Sequence, residues 1–249
     1  MPGGGTRGAN EFIPHAAFLG GTYQTIRLQT LNISRSRGKQ PLPEDYSIGT
    51  EVAAVDETLN RLGVRIPADF VGHSLGALIA LQFALVHPEK VRTLTLAEPP
   101  AFWVVTQEEL HRTPDMRAMY EMLLTLGPKV EPTDEQWIRF RCLLGECHLE
   151  KPEVGGAGWQ EWVARRAALR GLAAISQLKG DRNRLKTLRK PVLVVTGKDT
   201  VSFHRRINDI LAEQCSVVER LELPGNHAAV VTAQDEFVKA LRSFRERHR

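Results

Sequence analysis

The stretch FVGHSLGAL, Phe70 to Leu78, constrains the fold more than any other part of the chain. The short apolar run ADFVG (Ala68 to Gly72) predicts a buried strand. LGALIALQFALVHP predicts an apolar helix stopped before Pro88. Nothing between the two is long enough for a loop, so the chain must turn from strand to helix at Ser74 itself. A turn that sharp forces a strained backbone on the serine and requires tiny flanking residues, here Gly72 and Gly76. It aims Oγ above the sheet and puts the N–H of Leu75 at a helix N-terminus, where dipole and donor both favour an anion. Ser74 is therefore the candidate nucleophile and Leu75 a candidate oxyanion donor.

The same rhythm recurs along the chain. TIRLQTL (Thr25 to Leu31), VRTLTLAE (Val91 to Glu98), PVLVVTG (Pro191 to Gly197) and SVVERLELPG (Ser216 to Gly225) read as strands. SIGTEVAAVDETLNRLGV reads as a helix, with Val52, Val55, Leu59 and Leu62 at helical spacing and Gly63 at its C-terminal stop. Asp235 to Arg247 reads as a final amphipathic helix. Strands alternating with helices predict an α/β fold, a mostly parallel sheet flanked by helices. Phe102 to Arg189 breaks the rhythm with charged, helical-looking stretches and no convincing strand. It is expected to be a helical insertion, which divides the chain into core (1–101), insertion (102–189) and core (190–249).

A length of 249 residues suits one substantial core. The net charge of +4 is spread over interspersed residues, which gives no electrostatic case for nucleic acid. The basic run RSFRERHR (Arg242 to Arg249) reads as a solvated helix end. No apolar run approaches a membrane span and no signal peptide is visible, so the cytoplasm is the expected location. Three cysteines, an odd and low count, argue against a disulfide framework. CLLGECH (Cys142 to His148) fits no common zinc spacing, and no metal is expected.

A nucleophile needs a base, and LELPGNHAAVV supplies His227 after a late strand and a Pro224–Gly225 turn. Imidazole titrates near neutrality and can take the serine proton and return it to the leaving group. His15, His87, His111, His148, His204 and His248 lack a strand-end setting, and His73, inside the turn, is expected to pack or bond locally.

VGHSLGA resembles the nucleophile elbow of the α/β-hydrolase family almost letter for letter. The resemblance runs from the glycines near the start to the final helix, with the insertion in the place of that family's variable cap. It implies a triad acid on the turn after Pro191–Thr196, commonly written G-x-x-D. Here the turn reads Gly197-Lys198-Asp199-Thr200, so Asp199 comes one residue early and Thr200 holds the expected place. Some branches take the acid from the strand end after the elbow helix, which is Glu98 here. Both remain candidates, with Glu98 preferred. The second oxyanion donor is implied in the loop PGGGT (Pro2 to Thr6), at Gly3 or Gly4. Family members place several strands ahead of this loop. The chain is therefore expected to start inside the fold, N-terminally truncated, with an edge left open beside the elbow strand.

The implied activity is serine hydrolysis of a small carboxylic ester, thioester or lactone, with no cofactor. Acyl transfer, a haloperoxidase-like reaction or a non-catalytic ligand-binding role are the alternatives. In the insertion, Trp137, Trp159, Trp162 and Phe140 are either acyl-pocket lining or core.

Overall fold

In the computed structural model, which describes residues 1–5, 8–148 and 150–248, four short segments form one parallel sheet. The strands are β1 (Ala68–His73), β2 (Val91–Ala97), β3 (Val192–Gly197) and β4 (Val218–Leu223), in spatial order β1-β2-β3-β4. Parallel strands need crossovers, and the chain supplies helices for each. The helices ahead of and within the first crossover are α1 (Ile13–Leu19), α2 (Leu31–Arg37), α3 (Ile48–Arg61) and α4 (Leu75–Val86). Between β2 and β3 run α5 (Gln107–Arg112), α6 (Pro114–Leu124), α7 (Asp134–Leu143), α8 (Trp159–Ala167), α9 (Ala173–Gln177) and α10 (Asn183–Thr187). The remaining helices are α11 (Ser202–Gln214), α12 (Ala229–Thr232) and α13 (Gln234–Arg247). The helix α11 is an element beyond those read from the sequence.

The helix α4 is apolar all round because it is enclosed: Leu75, Leu78, Ile79, Leu81 and Phe83 are all fully buried. Phe83 stacks on Phe70 of β1 with ring centroids 4.8 Å apart. Residues 102–189 hold helices and no strand among the described residues, as their composition implies. Their apolar faces join the same core, with Met116, Met119 and Trp137 continuous with Leu75 and Leu78. Trp137, Phe140 and Trp162 are buried there.

Three expectations need correction. Residues 25–30 form no strand, and Leu31 already begins α2. The alternating pattern is real, but the stretch finds no ladder. Its polar groups instead bind the neighbouring segment, Arg27 Nη1 donating to Ala9 O and Gln29 Oε1 accepting from Ala9 N–H. Secondly, Cys142 and Cys147 form a disulfide. The chain folds back where α7 ends, with Gly145 at φ +85° and Glu146 N–H donating to Arg141 O, and the two Cα atoms come within 4.0 Å. Cys215 is free and buried. Thirdly, the edge of β1 is partly covered. The Met1 ammonium donates to Val71 O at 2.7 Å and Met1 O accepts from His73 N–H at 3.1 Å, so the first residue extends the ladder. Pro2, Gly3, Gly4 and Gly5 behind it are buried, and Thr6 and Arg249 lie outside the described residues. No helix among the described residues is long and apolar enough to cross a membrane.

The sharpness of the strand-to-helix turn depends on one missing side chain. A Cβ on Gly72 would sit 2.4 Å from Gly76 O and 2.5 Å from Ala77 Cα, both backbone atoms that cannot step aside. Gly72→Ala is expected to lower unfolding free energy by about 3 kcal/mol, read from urea melts; a melt within error of wild type would contradict this packing.

Candidate active site

The parallel sheet sends all its strand ends the same way, and the candidate residues gather at the carboxyl ends. The register pairs His73 of β1 with Ala97 of β2. Ser74 and Glu98 are thus the next residues off two adjacent strands. Both have left-handed backbones, at φ +52° and φ +48°. A non-glycine residue in that region costs on the order of 1–3 kcal/mol and persists only where its surroundings enforce it. For Ser74 the enforcement is its N–H donating to Ala97 O at 2.8 Å, and the immediate start of α4 at Leu75.

The Glu98 carboxylate is 2% exposed and accepts three hydrogen bonds. Oε1 takes Gly197 N–H at 2.7 Å, and Oε2 takes Thr200 Oγ1 and His227 Nδ1, each at 2.8 Å. Burial pushes its pKa up, but the bond from His227, the nearby imidazoles and the Gly197 amide outweigh it and hold the pKa down at about 2. Because Glu98 is ionised, His227 must donate from Nδ1, which leaves Nε2 as the basic nitrogen. Burial lowers the His227 pKa, and Glu98 only partly restores it. Asp199, the other candidate acid, is exposed on the turn after β3. Its backbone N–H donates to Gly225 O, and no bond joins its carboxylate to His227 among the described residues. Thr200, at the position where the family pattern has its acid, donates to Glu98 instead.

Two further histidines surround His227, and neither stands out in the sequence. His73 does bond, but across the fold rather than locally: Nε2 donates to the backbone O of His227 at 2.8 Å, and Nδ1 meets Glu11 Oε1 at 2.7 Å. Burial lowers its pKa, but the Glu11 charge and hydrogen bond reverse this and raise it overall. A protonated ring accounts for both contacts, since each nitrogen then donates. The His73 ring lies 4.8 Å from that of His227, between centroids. His204, from α11, stacks on the His227 ring at 4.4 Å between centroids and 12°. The sequence signal for His73 was its place inside the turn, whereas His204, between Phe203 and Arg205, carried none.

Gly4 and Ser74 share a small cavity with His204, Phe102, Phe140 and Leu172. Its volume is about 20 Å³, room for roughly one water-sized group. Gly3 is buried beside Gly4. Thus the first oxyanion candidate, Leu75, starts α4, and Gly4 of the second pair reaches the Ser74 cavity. Among the described residues, Glu98, His204 and His227 are a three-ligand cluster, with ligand atoms within 4.8 Å of one another. The near-parallel rings do not aim their in-plane lone pairs at one point, as bonds of about 2.0–2.1 Å to a zinc ion would demand.

The model of the Alpha/beta hydrolase family matches residues 2–240. "Putative carbamate hydrolase RutD" of Klebsiella pneumoniae (strain 342) is 28% identical over 246 residues, spanning 92% of this chain and 84% of that protein. A hydrolase from Pseudomonas aeruginosa PA01 superposes with a TM-score of 0.67 at 21% identity, over 98% of this chain and 87% of that one. MenH from S. aureus superposes with a TM-score of 0.74 at 16% identity, over 100% and 92%. At these identities the two structures share the fold with this chain.

The buried Glu11–His73 pair makes stability depend on pH. His73 has a folded pKa above its ordinary value of 6.5, so its contribution is complete below that value and is lost as pH rises through the folded pKa. Glu11→Gln is expected to cost about 2 kcal/mol near pH 6 and clearly less near pH 9. Urea melts at the two pH values check this, and a pH-independent difference would contradict it.

Proposed function

Because this chain belongs to the alpha/beta hydrolase family, we propose that it is a serine hydrolase that cleaves a small carboxylic ester, thioester or lactone through an acyl-enzyme. Ser74 Oγ attacks the carbonyl carbon, and Nε2 of His227 takes its proton. Glu98 holds the imidazole in the tautomer that leaves Nε2 free and stabilises the imidazolium as it forms. The N–H groups of Leu75 and of Gly3 or Gly4 hold the oxyanion. The imidazolium then protonates the departing alcohol or thiol. Water, deprotonated by His227, releases the acid and restores Ser74. The observation that carries this reading is the 2.8 Å bond from His227 Nδ1 to a triply bonded Glu98, one strand from a serine held at φ +52°.

A carbamate is the second reading, favoured by the names of the relatives. The same groups would attack a carbamoyl carbonyl, with a nitrogen in place of the first acyl carbon.

A fluorophosphonate probe should label the protein and not Ser74→Ala; an unlabelled, folded wild type would remove the nucleophile. Glu98→Gln is expected to lose roughly 10²–10⁴-fold in kcat, and Asp199→Asn to change little, with p-nitrophenyl acetate as substrate. The opposite ranking would move the acid to Asp199. The kcat/KM profile should lose its acid limb at an apparent pKa below 6.5, because His227 titrates below its ordinary value. A limb above 6.5 would speak against His227 as the base.

A further inference from the structure

His204 has no task in the reaction just described, yet it lies where a task would be. It is 1% exposed, and neither ring nitrogen has a hydrogen-bond partner among the described residues. Leaving a buried polar atom unsatisfied costs about 1–3 kcal/mol, so two on one side chain call for an explanation. A phenylalanine would fill the same stack between Phe203 and His227 without that cost. Burial and the neighbouring His227 push the His204 pKa well below its ordinary value, so the ring is neutral, with one N–H donor and one bare acceptor. The other side chains lining the cavity, Ser74 apart, are apolar, among them Phe102, Met119, Phe140, Leu172 and Ile175. In such a lining a single polar group fixes what may bind.

We propose that His204 is a specificity-determining residue that contacts the acyl part of the substrate, selecting short acyl groups that carry a hydrogen-bonding oxygen or nitrogen over plain hydrocarbon ones. The inference rests on the serine-hydrolase reading and deepens it. The acyl part is assigned because His204 lines the same cavity as Ser74, and on the proposed mechanism it is the acyl carbon that becomes bonded to Ser74 Oγ. An ether, keto, hydroxy or carbamoyl group there meets either the donor or the acceptor of the imidazole. A hydrocarbon chain of equal size leaves both unpaired. A site built to meet a polar group discriminates more sharply than one that merely accommodates it.

The test compares two esters of one size and one leaving group, p-nitrophenyl methoxyacetate and p-nitrophenyl butyrate, in wild type, His204→Phe and His204→Gln. Intrinsic reactivity cancels when the methoxyacetate-to-butyrate ratio of kcat/KM is compared between variants. His204→Phe, which keeps the aromatic stack, is expected to lower that ratio by about tenfold. His204→Gln, which keeps a donor and an acceptor, should retain most of it. A residue with a merely structural role would lower both esters together and leave the ratio unchanged, and that result overturns the proposal. If wild type turns over neither ester and takes no fluorophosphonate label, the serine-hydrolase reading fails and this inference with it. A labelled, active enzyme whose ratio is unmoved by His204→Phe sinks the inference alone.

Discussion

The Glu98 carboxylate is the point on which the site converges. It leaves β2 on a left-handed backbone, is buried, and accepts from the β3 end, from the turn after β3 and from the loop after β4. Three donors on one ion offset its desolvation and keep it charged. The same bonds fasten three strand ends to each other. Without that carboxylate, the Nδ1 tautomer of His227 would lose its acceptor, and the Gly197 amide would lose a buried acceptor too. Positioning and electrostatics are here one constraint.

Most of the sheet could be read in advance, and the reason is local. Val192–Gly197 is buried on both faces and opens as a continuous apolar run, and Val91–Ala97, buried along almost all its length, carries β-branched and leucine residues throughout. The turn at Ser74 was equally plain, since strand, serine and helix follow without a gap. The acid was harder. Position along the chain pointed to the turn after β3, where Thr200 stands, whereas the strand end gave Glu98. Only the register of β1 against β2 makes Glu98 a neighbour of Ser74, and register is a long-range property that one sequence does not display. The same limit explains residues 25–30, whose alternation is that of a strand but whose backbone joins no ladder. It also explains the disulfide, which depends on where α7 stops.

The partners of His73 and the setting of His204 were hidden for a different reason. Their importance comes from what surrounds them, and the partners lie far off in sequence. Glu11 is 62 residues from His73, and the His227 carbonyl is 154. His204 sits on an amphipathic helix, where it resembles any other residue of the buried face.

The charges around His227 follow an order. Glu98 is negative and His73 is drawn toward the positive form by Glu11, whereas His204 is kept neutral by burial. On the proposed mechanism, one more positive charge appears each time His227 accepts a proton. Glu98 attracts it at hydrogen-bond distance. His73 opposes it, as its lowering effect on the His227 pKa records, but its own charge is matched by Glu11. A charged His204 would add a second opposing cation against the face of the same ring, 4.4 Å away between centroids. A low local dielectric would make that repulsion large. On that mechanism, neutrality at residue 204 is a condition for imidazolium formation at residue 227, and the apolar side chains that bury it also bound the cavity beside Ser74.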